Sequence, residues 1–382
     1  SCTAPLWSAM VASGTISGGT FNGTVTSGGR ITGGTFNGEV RNVGTITGGT
    51  FNGQGTNPGC ITGGTFKGGI TGTPALATGS GAANDPYLIG TAEGLKWFRD
   101  MVNSGEYGLC AELTDDIDLS GENWTPIGIS NYNNGSGAYS GTFDGKGHTI
   151  SGLNVTDSHE FAGLFGVVSH NGTIKNLTVA GKVSSSSSQC KAGGIVGYAS
   201  NAVIKNCSNH CSVSGGDSSY VGGIAGCNFD GARIIDCYNV GTIKNCSDYS
   251  PLAVGGIAGQ NNGTISNCYN VGTVSNGDRV GEIVGFNFAT VENCYYLNTT
   301  NNNDVGVGYS PNTKSMTAAE FADGTVLALL KAGERGSNAD PWAEKCQYVD
   351  AASLTLPVFK NQNTHKHTLQ HVEAKAATTS EE

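Results

Sequence analysis

Charge is scarce in this sequence: Asp, Glu, Lys and Arg make up only 13 % of its 382 residues. It is therefore not one of the charge-rich chains that stay unfolded for want of apolar surface. Proline is scarce too, with 9 residues, whereas Gly reaches 61, about twice its usual share. Collagen is excluded, because no Gly-X-Y period runs through those glycines. No run of Lys and Arg occurs, and 20 basic against 30 acidic residues leave a net charge of −10, so nothing is available to neutralise a phosphate backbone and nucleic acid is not an expected partner. No stretch approaches the ~20 apolar residues of a membrane span. The opening Ser1-Cys2-Thr3-Ala4 has neither a basic nor an apolar leader region, and the chain reads as a processed or excised piece. Its 12 Cys are too sparse for a small disulfide-stapled scaffold and leave the redox state open. What remains is a turn-rich, all-β protein.

Internal repeats decide the architecture. Gly19-Thr20-Phe21-Asn22-Gly23 recurs at Gly34, Gly49 and Gly64 with a constant step of 15, the last copy carrying Lys67 in place of Asn. Ile16, Ile31, Ile46 and Ile61 keep the same register, as do Val25, Val40, Gly55 and Ile70. A 15-residue unit cannot enclose a core alone, but stacked units bury like side chains over one another, as a solenoid does. Residues 14–72 therefore read as about four β-coils. A longer repeat follows: Gly163-Leu164-Phe165-Gly166, Gly193-Gly194-Ile195-Val196-Gly197, Gly222-Gly223-Ile224-Ala225-Gly226, Gly255-Gly256-Ile257-Ala258-Gly259 and Gly281-Glu282-Ile283-Val284-Gly285, at steps of 30, 29, 33 and 26. Each is followed by a second strand phrase such as Ile204-Lys205-Asn206-Cys207, and several by a third such as Asn270-Val271-Gly272-Thr273-Val274. Three short strands joined by Gly and Asn turns make one coil of a parallel β-helix, and the uneven step marks loop insertions on a constant rung.

These phrases resemble the GLUG repeat, a Gly-Leu/Ile-x-Gly motif of bacterial cell-surface proteins that also occurs in the non-catalytic part of IgA-peptidase-like proteins. The resemblance extends over roughly 80–300, because Gly81 to Ile89, Trp124 to Gly128 and Gly141 to Ile150 match phrases that usually precede such repeats. It implies a secreted or wall-attached protein, often adhesive, and little about activity. Glu282 departs from the pattern, standing where the second Gly is expected.

Two segments break the β pattern. Thr91 to Asn103 spaces Leu95, Phe98, Met101 and Val102 as a helix with Thr91 as N-cap, ended by Gly105. Thr317 to Ala332 repeats the spacing with Phe321, Val326, Leu329 and Leu330, and Trp342 with Leu354 to Phe359 completes a second cap. Terminal rungs invite edge-to-edge pairing, so caps are expected at both ends. The expected organisation is an N-terminal segment, 1–13; a 15-residue-repeat solenoid, 14–78; a capping helix and first coils, 79–160; a GLUG-repeat β-helix, 161–300; a C-terminal cap, 301–360; and a linker or tail, 361–382. The fold class is all-β, a right-handed parallel β-helix or β-solenoid with short capping helices.

Few constellations carry chemistry. Cys207, Cys237, Cys268 and Cys294 share a repeat slot with Leu177 and read as a buried thiol ladder; bridges along it would be strained, because parallel Cα–Cβ vectors hold the Cβ atoms too far apart. Cys207, His210 and Cys211 lack a fourth ligand at ordinary zinc spacing, and His365, His367 and His371 read as part of a solvated tail. Asp115, Asp116 and Asp118, with Asp144 in a nearby turn, form the densest acidic group and the one place for a calcium ion or for the carboxylate chemistry of a β-helix polysaccharide enzyme. The competing reading makes them the outward face of a strand. No nucleophile elbow, zinc-protease motif or phosphate loop occurs. Asn22, Asn37 and Asn52 are expected to stack as an amide ladder, with a ligand face shared with Thr20, Thr35, Thr50 and Thr65 as the alternative. Tyr132, Tyr139, Tyr220, Phe229 and Tyr249 lie in the insertions, where rings either stack on sugars, meet a protein partner or cover the core.

The sequence thus predicts an extracellular bacterial surface repeat protein, an adhesin or ligand-presenting scaffold that meets a host or bacterial surface glycan or protein. No nucleic acid, no membrane span, no catalysis and no cofactor other than calcium is expected. The alternatives are a carbohydrate-active β-helix enzyme, a lyase or hydrolase, and a spacer stalk.

Overall fold

The computed structural model describes residues 6–11, 14–42, 44–56, 64–68, 70–71, 77–129, 137–245, 252–298, 305–307, 313–333, 339–349, 354–360 and 362. Two parallel β-solenoids make up the fold. In the first, Thr20–Ser27 pairs in parallel with Thr35–Phe36 and Val40–Asn42, and the pairing continues through Thr50–Phe51 and Gly55–Thr56 to Thr65–Phe66 and Ile70–Thr71. The 15-residue period places Ile16, Ile31, Ile46, Phe21, Phe36, Phe51, Val25 and Val40 in one buried cluster. The Phe rings lie flat on one another, with centroids 4.9 and 4.7 Å apart. Outside, the Asn37 and Asn52 amides each donate to the Asn before them, both at 2.7 Å, so the expected ladder is present. Leu6–Val11, set apart in the sequence as an N-terminal segment, pairs in parallel with residues 21–27 and joins this sheet.

The second solenoid makes about six turns. Its coils contribute to a 16-stranded, a 5-stranded and a 6-stranded sheet, and every named pairing between coils is parallel. The strands follow the repeat phrases: Lys191–Gly193, Val196–Ser200 and the long Val203–Gly215 form one coil. The long strand bends at a residue with positive φ, and this corner is stacked through the coils as Asn176, Asn206, Asp236, Asn267 and Asn293, with φ between 50° and 55°. Asn and Asp tolerate that conformation best among residues with a side chain, which accounts for the Asn of each Ile-x-Asn-Cys phrase.

Side-chain ladders lock the coils together. The buried Asn209 amide donates to Asn239 Oδ1, and Asn239 to Asn270 Oδ1, both at 2.7 Å. Asn228, Asn261 and Asn287 form a second buried ladder. The second Gly of the repeat makes room for the first of these, because a Cβ at Gly223 or Gly256 would run into the amide of Asn239 or Asn270. In the last coil the register replaces the next Asn by Tyr296. Glu282, only 2 % exposed, then occupies the Gly position and accepts from Asn270 Nδ2 at 3.0 Å. The departure noted in the sequence is therefore a ladder terminus.

Cys207, Cys237, Cys268 and Cys294 are buried free thiols in one column. Burial also pushes the Cys211 and Cys227 thiols above their ordinary range. A thiol reagent is expected to leave the four column residues unmodified in the folded protein and to reach them in denaturant. Intact-mass detection of bridges among the four would contradict this assignment.

Helix α1, Ala92–Asn103, is capped by the Thr91 side chain, which accepts from Gly94 N. It buries Leu95, Trp97, Phe98 and Val102, with Phe98 against Tyr139 and Phe143, and so closes the first coils as expected. The C-terminal expectation needs correction. Thr317 to Ala332 is two helices, α2 (Ala318–Ala322) and α3 (Thr325–Ala332), separated at Gly324, whose φ is +92°. These helices, Trp342, Leu356 and Phe359 pack on Tyr238, Tyr269 and Tyr295, which stand in register on three successive coils. Gln362 reaches further back, to Thr178 Oγ1 at 3.3 Å. The C-terminal lobe thus lies along the flank of the coils, where it buries the row of Tyr rings.

Candidate functional site

Where the short GLUG strands fold back on each other, two rows of outward side chains run along the second solenoid. Pairing aligns Phe161, Lys191, Tyr220 and Ala253 in one row, and Arg279 extends it, since its carbonyl accepts from Val254 N at 2.9 Å. Val167, Tyr198, Cys227, Gln260 and Phe286 form the other. Aromatic rings bridge the rows. Tyr198 lies edge-on to Phe161 at 5.7 Å and stacks on Phe229 at 5.4 Å. Lys191 Nζ sits 5.2 Å over the Phe161 ring and pairs with Glu160 at 3.1 Å. At the far end the Arg279 guanidinium lies 4.4 Å over Phe286, which contacts Phe288 at 4.1 Å. Phe288 is 58 % exposed. Burial raises the Tyr220 phenol above its ordinary value, with the Cys227 thiol adding to the shift and Arg279 opposing it. The partly exposed rings and the two cations are the side chains of this flank suited to stacking on a sugar face or seating a protein side chain, whereas Gln260 is buried and its amide donates to Asn262.

The aromatic residues singled out in the sequence divide accordingly. Tyr220 and Phe229 lie half-buried on this flank. Tyr139 does not: it is fully buried, its hydroxyl donates to Leu109 O at 2.9 Å, and its ring packs on Phe98 and Phe165. It belongs to the core, because the seam between the capping helix and the first coils closes over it. Tyr132 and Tyr249 lie outside the described residues. Sequence reasoning missed Lys191, Tyr198, Arg279, Phe286 and Phe288. Their signal was positional: Lys191 and Arg279 stand two residues before the first Gly of a GLUG phrase, Tyr198 and Phe286 directly after its last Gly, and Phe288 two residues further on, where the repeat dictates no residue.

Asp115, Asp116 and Asp118 are not brought together. Asp115 accepts from the Thr114 hydroxyl at 2.9 Å, and Asp116 from Thr149 N at 2.8 Å with His148 Nδ1 at 3.2 Å. Asp118 accepts from the hydroxyl and amide of Ser120, which hold its carboxyl below the usual range. Each carboxylate serves a separate turn, and among the described residues no three His, Cys, Asp or Glu side chains gather to hold a metal ion. Asp144 is buried and held by Lys146 N, Asn176 Nδ2 and Lys175 Nζ at 2.9, 2.9 and 3.1 Å, which makes it a fixture of the corner. Cys207 and Cys211 are in the core while the His210 ring packs on Tyr238 at 6.0 Å. No helix among the described residues is long and apolar enough to cross a membrane.

Known proteins resemble this chain in repeat and in fold. A solved structure from Bacteroides ovatus, provisionally named an immunoglobulin A1 protease, superposes with a TM-score of 0.57 at 22 % identity, covering 75 % of this chain and 95 % of that one; at that identity the likeness concerns fold alone. A provisionally named Gly-rich membrane protein of Evansella cellulosilytica is 35 % identical over 113 residues, 28 % of this chain. Halomucin of Haloquadratum walsbyi is 30 % identical over 169 residues, 41 % of this chain. The chain spans only 12 % and 2 % of the length of these two relatives. Residues 217–244 and 250–275 match the family described as the GLUG motif, so the chain carries GLUG repeats in these coils of its second parallel β-solenoid.

Proposed function

We propose that this chain is an extracellular scaffold, secreted or attached to a cell surface, that presents its aromatic flank to a glycan or protein ligand and catalyses no reaction of its own. One observation carries the proposal. The residues that recur are used by the scaffold, as turns, columns and ladders, whereas the unconstrained positions on one flank hold Tyr198, Phe229, Phe286 and Phe288 beside Lys191 and Arg279. The names of the two curated relatives, a Gly-rich membrane protein and halomucin, support placement at a cell surface. A glycan and surface-protein array probed with the purified chain tests this reading. A bound ligand is expected to lose about tenfold or more in affinity, about 1.4 kcal/mol, on Tyr198→Ala or Phe288→Ala, in line with aromatic anchors elsewhere. An array without hits, or affinity indifferent to both changes, leaves the spacer stalk as the better reading. Turnover of a polysaccharide that is abolished by Asp116→Asn or Asp144→Asn would establish the carbohydrate-active enzyme instead.

A further inference from the structure

The column of Cys207, Cys237, Cys268 and Cys294 repeats one thiol geometry on four successive coils. Pairings on either side of the column fix its register: Lys205 with Ile235 and Ser208 with Tyr238, Ile235 with Ser266 and Tyr238 with Tyr269, then Ser266 with Glu292 and Tyr269 with Tyr295. All four thiols adopt one orientation. Each donates at 3.2 Å to the carbonyl two residues earlier, Lys205, Ile235, Ser266 and Glu292. The first three also approach Ile174, Ile204 and Ile234 of the preceding coil at 3.7–3.8 Å. Side chains that repeat the same contacts on successive rungs are related by the rung translation, so neighbouring sulfurs are separated by the strand spacing of ~4.8 Å. A relaxed disulfide is too short for that gap, with S–S near ~2.05 Å. Two metal–thiolate bonds of ~2.3 Å placed end to end span ~4.6 Å.

We infer that adjacent thiols of this column form a linear, two-coordinate site for a soft d10 cation. The surroundings select among such ions. Beside the thiols stand only the backbone carbonyls just named, hard and weak donors for a soft ion, and among the described residues no three His, Cys, Asp or Glu side chains gather to hold a metal, so ions that need four ligands are not satisfied. A monovalent ion between two thiolates leaves a net negative charge in an apolar core, which is costly; a divalent one leaves none. The fitting ion is mercuric. Binding breaks two S–H bonds, forms two Hg–S bonds and releases two protons to solvent, with no change of oxidation state. Each sulfur serves one linear pair, so four sulfurs take two ions, between Cys207 and Cys237 and between Cys268 and Cys294.

The test uses the full chain. Exposed thiols are first blocked with N-ethylmaleimide, and mercuric chloride is then added to the folded protein over days or during refolding from denaturant. Excess glutathione strips ions held by a single sulfur, and native mass spectrometry counts those retained. Wild type is expected to keep two ions, with X-ray absorption showing two sulfur neighbours at ~2.3 Å, and to keep no zinc. Cys207→Leu, which copies Leu177 in the same slot, is expected to keep one, and Cys237→Ala with Cys268→Ala none. Circular dichroism identifies which variants are folded. The inference is overturned if wild type retains no mercury by either route, or if a folded double variant retains as much as wild type.

Discussion

Replacing Phe36 by Ala should lower the stability of the first solenoid by about 3–5 kcal/mol. The ring is fully buried between Phe21 and Phe51, nearly parallel to both, and its loss empties the middle of a column that has no other side chain to close the gap. In a stack where each coil touches only its neighbours, a defect at one rung weakens both of its interfaces. Urea denaturation read by circular dichroism measures the change, with Asn37→Ala as comparison. That exposed amide belongs to the same rung, and its removal should cost no more than about 1 kcal/mol. A midpoint that hardly moves for Phe36→Ala would show that the Phe column is not the core of this segment.

Asn239→Ala should be comparably damaging in the second solenoid, by about 2–4 kcal/mol, since each buried polar group left without a partner costs about 1–3 kcal/mol. The Asn239 amide accepts from Asn209 and from Gly241 N while donating to Asn270 and to Gly241 O. All of these groups are buried. The ladder terminus offers a sharper check. Glu282→Gly removes the acceptor of Asn270 and should destabilise the fold, whereas Glu282→Gly combined with Tyr296→Asn restores the arrangement of the preceding coils and should recover much of the loss. If the double change is no better than the single one, Glu282 is not standing in for a missing Asn.

Periodicity made most of the scaffold legible. A constant step of 15 could only be satisfied by stacking, which puts Phe21, Phe36 and Phe51 in one column and Asn22, Asn37 and Asn52 in another. The Cys column followed from its shared slot with Leu177, and α1 from its apolar spacing and Thr91 cap. Features that depend on the third dimension were less legible. Nothing local distinguishes a lobe that covers an end from one that lies along a flank; the decision rests on Tyr238, Tyr269 and Tyr295, whose partners are remote in sequence: Gln362 is 124 residues from Tyr238, and Pro357, whose carbonyl accepts from the Tyr269 hydroxyl, is 88 residues from it. The break at Gly324 was hidden because Val326, Leu329 and Leu330 keep helical spacing with Phe321 across it. Tyr139 misled because it sits in an apparent insertion, although the insertion's own end is drawn into the core. The aromatic flank was half visible, since Tyr220 and Phe229 stood out, whereas Tyr198 and Phe286 occupy positions that a search for recurring residues passes over.

The flank position of the C-terminal lobe gives the molecule a particular mechanical character. A solenoid pulled from its last strand peels one rung at a time, each rung resisting alone. Here a pull on the chain beyond Phe359 would first load the contacts of Trp342 and Phe359 with Tyr238, and of Trp342 and Phe321 with Tyr269, on different coils at once and along the axis. Such loading is shear, in which the contacts must fail together, and resistance to force is set by the rate of that joint failure. The lobe therefore acts as a strain relief, passing tension into the body of the stack and sparing its final turn.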